Sequence, residues 1–144
     1  MTHTPPILPV RGWRTAAYGH IVRWRYGYAV LFSMLVTVSS SFPIVVPRGV
    51  PYPDKWAHIV AYLALGIVYI NAATVGWQRA TFLRILGGWA AVVLFGTMDE
   101  WYQQFVPGRV MDPTDVVADA IGGGVAVLGS LVLRLRLALE TPQA

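Results

Sequence analysis

With 144 residues, 56% of them hydrophobic and 12% charged, the chain is too apolar for a water-soluble domain, where about a quarter of residues carry charge. The length allows one compact domain, and the absence of cysteine excludes disulfides and thiolate-held metals. A net charge of +4 says little until the charges are placed along the chain, and no nucleic-acid partner is expected from it.

Residues 1–23 read as a basic, proline-containing arm carrying Arg11, Arg14 and Arg23. The first apolar run is Tyr26 to Phe42, entered through Trp24, Tyr26 and Tyr28. It is too long for a signal-peptide core and no small-x-small site follows, so it is expected to stay as a first span. Pro43, Pro47, Gly49, Pro51 and Pro53 then make a non-helical loop. The second span, Trp56 to Val75, is about 30 Å long as a helix and so matches the hydrocarbon thickness. After Gly76, Gln78 and Arg79 comes a third span, Thr81 to Met98, with Arg84 near its start. Asp99 to Thr114 is a polar connection, Val116 to Leu133 a fourth span, and 140–144 a tail. The expected fold is therefore all-α: an integral membrane bundle of four transmembrane helices over 24–139.

Charge sets the orientation. With the N-terminus inside, Arg11, Arg14, Arg23, Arg25, Arg79, Arg84, Arg134 and Arg136 lie on one side, and Arg48, Lys55 and Arg109 on the other. The positive-inside rule then puts both termini in the cytoplasm. The acids segregate oppositely: Asp54, Asp99, Glu100, Asp112, Asp115 and Asp119 fall outside and only Glu140 inside. Five of the seven sit between Gly96 and Gly124, beside apolar sequence, where an unpaired charge costs several kcal/mol.

Spacing groups these residues. Asp54, His58 and Tyr62 recur every four residues and stack on one helix face, with Lys55 beside it. Asp99 with Gln103, and Glu100 with Gln104, repeat that spacing if the third helix runs past the membrane edge. Asp115, Asp119 and Gly122 form a stripe on the fourth, and Gly122, Gly123, Gly124 and Ala126 allow a close helix neighbour. Arg109 follows the Pro107-Gly108 turn. Simpler roles stand beside these: Asp112 and Asp54 as helix caps, Asp99 as a solvated helix end, and Glu100, Arg109 and Asp119 as a structural ion-pair network.

Three runs, Asp54–Tyr62 (DKWAHIVAY), Asp99–Arg109 (DEWYQQFVPGR) and Asp112–Gly123 (DPTDVVADAIGG), resemble the VanZ-like membrane proteins over roughly residues 25–135. The resemblance assigns Lys55, His58, Tyr62, Glu100, Gln103, Arg109, Asp115 and Gly122 to family positions. Tyr102 stands where a His is common and Asp119 where Asn is often seen, and the extra carboxylate favours a proton or cation. The family takes its name from low-level resistance to the glycopeptide teicoplanin. The resemblance thus implies a multi-pass protein of a prokaryotic inner membrane.

The site reading is an outward-facing polar pocket that binds or modifies a lipid-linked or phosphate-bearing head group. The partners would be membrane lipids or a lipid-linked cell-wall precursor. Arg109 and Lys55 would grip phosphate, helped by Tyr62, Gln103 and Asp119, while His58, Glu100 and Asp115 would act as acid and base. Six acids would repel a phosphate unless they are already paired or a metal bridges the two. No organic cofactor is expected, and His58, Glu100, Asp115 and Asp119 suit a divalent cation in donor type. The alternative is a non-catalytic structural or shielding protein held by a buried ion network. A proton- or cation-coupled carrier is a third reading, but no charged residue marks the mid-plane of any span.

Overall fold

A computed structural model describes residues 13–42, 49, 51–75 and 80–140, and places them in or between four helices. These are α1 (Trp13–Ser40), α2 (Pro53–Ala73), α3 (Phe82–Gln103) and α4 (Pro113–Glu140). Pro43, Pro47, Arg11, Arg48, Arg79, Gly76, Gln78 and the 141–144 end of the tail lie outside the described residues.

The all-helical expectation holds, with two adjustments. α1 starts at Trp13, inside the stretch read as an arm. Nothing between Trp13 and Ser40 breaks a helix, since the segment contains no proline, so the backbone continues through the polar residues before Tyr26. Apolarity marks the membrane edge; it does not mark a helix end. Second, α2, α3 and α4 are long and apolar enough to cross a membrane, whereas α1, with its arginines and serines, is not among the helices that qualify on those grounds.

The start of α2 also differs from expectation. Pro53 takes the first helical position and Tyr52 the cap, so Asp54 falls within the first turn and is not the cap residue. Tyr52 is left-handed at φ 50, an uncommon state for a non-glycine residue. α4 does follow the sequence reading. Asp112 Oδ1 accepts from Thr114 N–H at 2.9 Å and from the Thr114 hydroxyl at 2.7 Å, directly ahead of Pro113.

Neighbours in sequence pack antiparallel, yet the most intimate pair is α2 with α4, which run parallel. Glycine makes this approach. A Cβ at Gly122 would fall on the Ile59 carbonyl and the Leu63 amide nitrogen, and one at Gly66 would meet Ala126 at 2.9 Å. Backbone therefore rests on backbone along the α2–α4 seam. α3 packs on both, with Gly88 against Ile70 and the Trp89 indole donating to the Ala120 carbonyl at 3.0 Å. α1 lies mainly along α2, where Ser33 and Tyr69 hydroxyls bond at 2.9 Å, and it leaves a groove of about 660 Å³ toward α3.

Polarity in the described residues is inverted relative to a soluble protein. Leu31, Leu83, Leu94, Val117, Leu128 and Leu135 are exposed, while as many polar or charged side chains as apolar ones are buried. Such extensive exposed apolar surface, on three helices long and apolar enough to span a bilayer, fits a lipid surrounding. Exposed Trp24 and Tyr26 at one end, and Tyr52, Trp56, Trp101 and Phe105 at the other, supply aromatic rims. The chain is a multi-pass membrane protein.

Candidate functional site

The polar residues converge where α1 and α3 end and α2 and α4 begin. His58, on the buried face of α2, places its Nδ1 2.8 Å from Asp119 Oδ1 and its Nε2 3.7 Å from Asp115 Oδ2. The four-residue spacing works as expected on both helices. His58 also stacks on Tyr62, with ring centroids 6.1 Å apart and planes 13° from parallel. Lys55, one turn earlier, donates to Asp112 Oδ2 and Asp115 Oδ1, each at 2.5 Å, and lies 3.4 Å from Asp54.

α3 contributes from the opposite side. Glu100 Oε1 accepts the Asp112 backbone N–H at 2.6 Å, which pins the loop to the helix end. His58, Glu100 and Asp115 each offer a ligand atom within 4.8 Å of the others. His58 and Glu100 therefore lie in one cluster and on the same side of the bundle. The cluster is closed, however: Glu100 is 1% exposed, Gln103 and Asp119 0%, Asp115 5% and His58 6%. These groups form a packed layer that tight glycine-mediated helix approach seals, not the lining of an open outward pocket. A Cβ at Gly96 would stand 2.6 Å from Asp119 Oδ2, so only glycine lets that carboxylate lie where it does.

Three other expectations change. Asp99 is buried and is no solvated helix end, because it accepts from Thr37 at 2.7 Å, Ser40 at 3.0 Å and Tyr62 at 3.4 Å. Arg109 joins no ion pair with Glu100 or Asp119. Its guanidinium instead makes two bonds to Gln103 Oε1, at 3.0 and 2.5 Å, and stays half-exposed. Gln104 is turned outward to the Trp101 carbonyl and takes no part. Thr37 and Ser40 are the members that sequence reasoning missed. The only signal was a Thr/Ser run at the end of the apolar stretch of α1.

Satisfaction of this layer is incomplete. Glu100 Oε2, Gln103 Nε2 and Asp119 Oδ2 are buried with no hydrogen-bond partner, although buried polar atoms almost always find one. At the rim, the hydrogen bond from Lys55 and those from Thr114 hold the Asp112 carboxyl down to about 2.

Residues 23–134, which include every member of this cluster, match the VanZ/LLP1 family, so the chain belongs to that family of membrane proteins. Among individual proteins, an uncharacterised protein of Schizosaccharomyces pombe is 28% identical over 106 residues, covering 74% of this chain and 64% of the yeast protein. The chain thus spans about two thirds or less of the length of the curated relative it matches. That relative is from a yeast, so membership alone does not assign a prokaryotic membrane. No solved structure matches the chain.

Proposed function

We propose that the protein binds a phosphate-bearing or lipid-linked head group at the membrane face where α2 and α4 begin. The carrying observation is Arg109. Among the described residues it pairs with no carboxylate, its bonds go to the neutral amide of Gln103, and it stays half-exposed above the buried cluster. A guanidinium in that state matches a phosphate in charge and in its two-pronged geometry. The groove between α1 and α3 supports the same reading. It is apolar, it runs from Tyr26 to Thr37, and the Thr37 hydroxyl touches Asp99 of the cluster. A hydrocarbon chain lying there would bring its head group to the acidic end. In this reading α1 also crosses the membrane, as the first of four spans, both termini are cytoplasmic, and the cluster faces outward in a prokaryotic inner membrane. A lipid-linked cell-wall precursor would then connect the site to teicoplanin tolerance.

The test uses the full chain in nanodiscs containing phosphatidylglycerol, a polyprenyl phosphate and a neutral diacylglycerol, with retained lipid read by native mass spectrometry. Wild type should keep a phosphate-bearing lipid, and Arg109→Gln should reduce that retention at least tenfold. Equal retention of neutral and phosphate lipids by both proteins would sink the reading. A second reading has its own observation: Lys55, Asp112, Glu100, Thr37 and Asp99 bond all four helices together. If Glu100→Gln and Arg109→Gln change only thermal stability, the cluster is a structural clasp.

A further inference from the structure

We infer that His58, Glu100 and Asp115 hold a first-row divalent cation, with Asp119 orienting the imidazole. His58 Nδ1 lies 2.8 Å from Asp119 Oδ1; an ionised carboxylate there can only accept, so Nδ1 carries the proton and the neutral imidazole has its lone pair on Nε2. A carboxylate on the far nitrogen is how metal-binding histidines are commonly aligned. Nε2 faces Asp115 Oδ2 at 3.7 Å, too far for a hydrogen bond. Ligands about 2.1 Å from one tetrahedral ion stand roughly 3.4 Å apart, so a small contraction brings this pair onto a shared ion. Glu100 supplies the third donor, within 4.8 Å of both.

Acidity alone would not argue for an ion; the unmatched atoms do. Glu100 is 1% exposed, its Oε1 is taken by Asp112 N–H, and its Oε2 has no partner. Asp115 divides its oxygens in the same way, with Oδ1 on Lys55 and Oδ2 turned toward His58. Among the described residues at this end of the bundle, Asp54, Asp99, Glu100, Asp112, Asp115 and Asp119 stand against Lys55 and Arg109 as fixed cations, with His58 between. A divalent ion offsets half of that excess. A second acidic group, Asp54, Asp112 and Asp115, carries no such argument because the Lys55 ammonium already bridges it.

One imidazole nitrogen with two carboxylates suits Zn²⁺ best, accepts Mn²⁺ more weakly, and disfavours soft Cu(I). With Nε2 on the ion, His58 is a ligand and no longer a proton carrier. The cation also removes the electrostatic objection to an anionic head group nearby. It does not depend on that head group, and metal titration without lipid phosphate separates the two.

The experiment is Mn²⁺ titration of the full-length protein, purified in an uncharged detergent and stripped with EDTA. Free Mn²⁺ is followed by electron paramagnetic resonance, and Zn²⁺ is the competitor. One ion per chain should bind, displaced by Zn²⁺. Affinity should fall at least 100-fold in Glu100→Gln and His58→Gln, and 10- to 100-fold in Asp119→Asn with unchanged stoichiometry. Circular dichroism and gel filtration establish that each variant is folded, and Asp115→Asn replaces any that is not. Wild type that is folded yet binds neither metal at millimolar concentration overturns the inference. So does full affinity in Glu100→Gln.

Discussion

The two ends of the bundle close in different ways. At the basic end, Ile70, Ile85 and Ala126 meet as an apolar cluster, and Gly88 lets α3 settle on the Ile70 backbone. At the acidic end the same helices meet through Lys55, His58, Asp99, Glu100, Asp115 and Asp119. In lipid, apolar packing is not driven by expulsion of water, so the first end depends on close fit. The second depends on ion pairs whose desolvation is costly, and it keeps unpartnered oxygens. One end is built for cohesion; the other retains polar groups beyond what cohesion requires.

The comparison sharpens first at Lys55. Replacing it with Met leaves the buried Asp115 carboxylate without its cation, and thermal or denaturant unfolding in detergent should show a loss of about 2–3 kcal/mol, at or below the low end for breaking a buried pair because the Lys55 side chain keeps 22% of its exposure. Gly122→Val attacks the seam that both ends share. With the Ile59 carbonyl in the way, α2 and α4 must separate, and a loss of about 1–3 kcal/mol should appear in the same assay. Glu100→Gln goes the opposite way. Metal-free protein should gain about 1 kcal/mol, because an unmatched buried carboxylate is exchanged for a neutral amide; a loss would mean that Glu100 is already satisfied.

The smallest effect is in pH. Asp112 is held near 2 in the folded protein, below the ordinary carboxylate value near 4. Its contribution is therefore complete above about pH 4 and is lost as pH falls toward 2. A stability profile across that window should flatten in Asp112→Asn, which keeps the cap and loses the charge.

Much of this was legible in the sequence because helical spacing is local. The Asp54–His58–Tyr62 and Asp115–Asp119–Gly122 faces, the Asp112 cap and the glycine-lined side of α4 follow from periodicity of 3.6 residues. What stayed hidden was non-local. Asp99 looked like a helix end because its partners, Thr37 and Ser40, lie some sixty residues away on α1. Arg109 looked like an ion-pair partner for Glu100 or Asp119 because charge suggests charge; the turn delivers it to Gln103 instead. The spacing foretold a close neighbour for Gly122 but could not say that it would be α2.

Asp112 ties three helix ends with three different atoms. Its Oδ1 caps α4, its Oδ2 takes the α2 lysine, and its backbone N–H goes to the last turn of α3. Such a knot can be tied only after all three segments have arrived, and it comes undone everywhere at once. Amide hydrogen exchange at the beginnings of α2 and α4 and at the end of α3 should therefore share one opening rate, making residues nearly sixty positions apart a single unit of local unfolding.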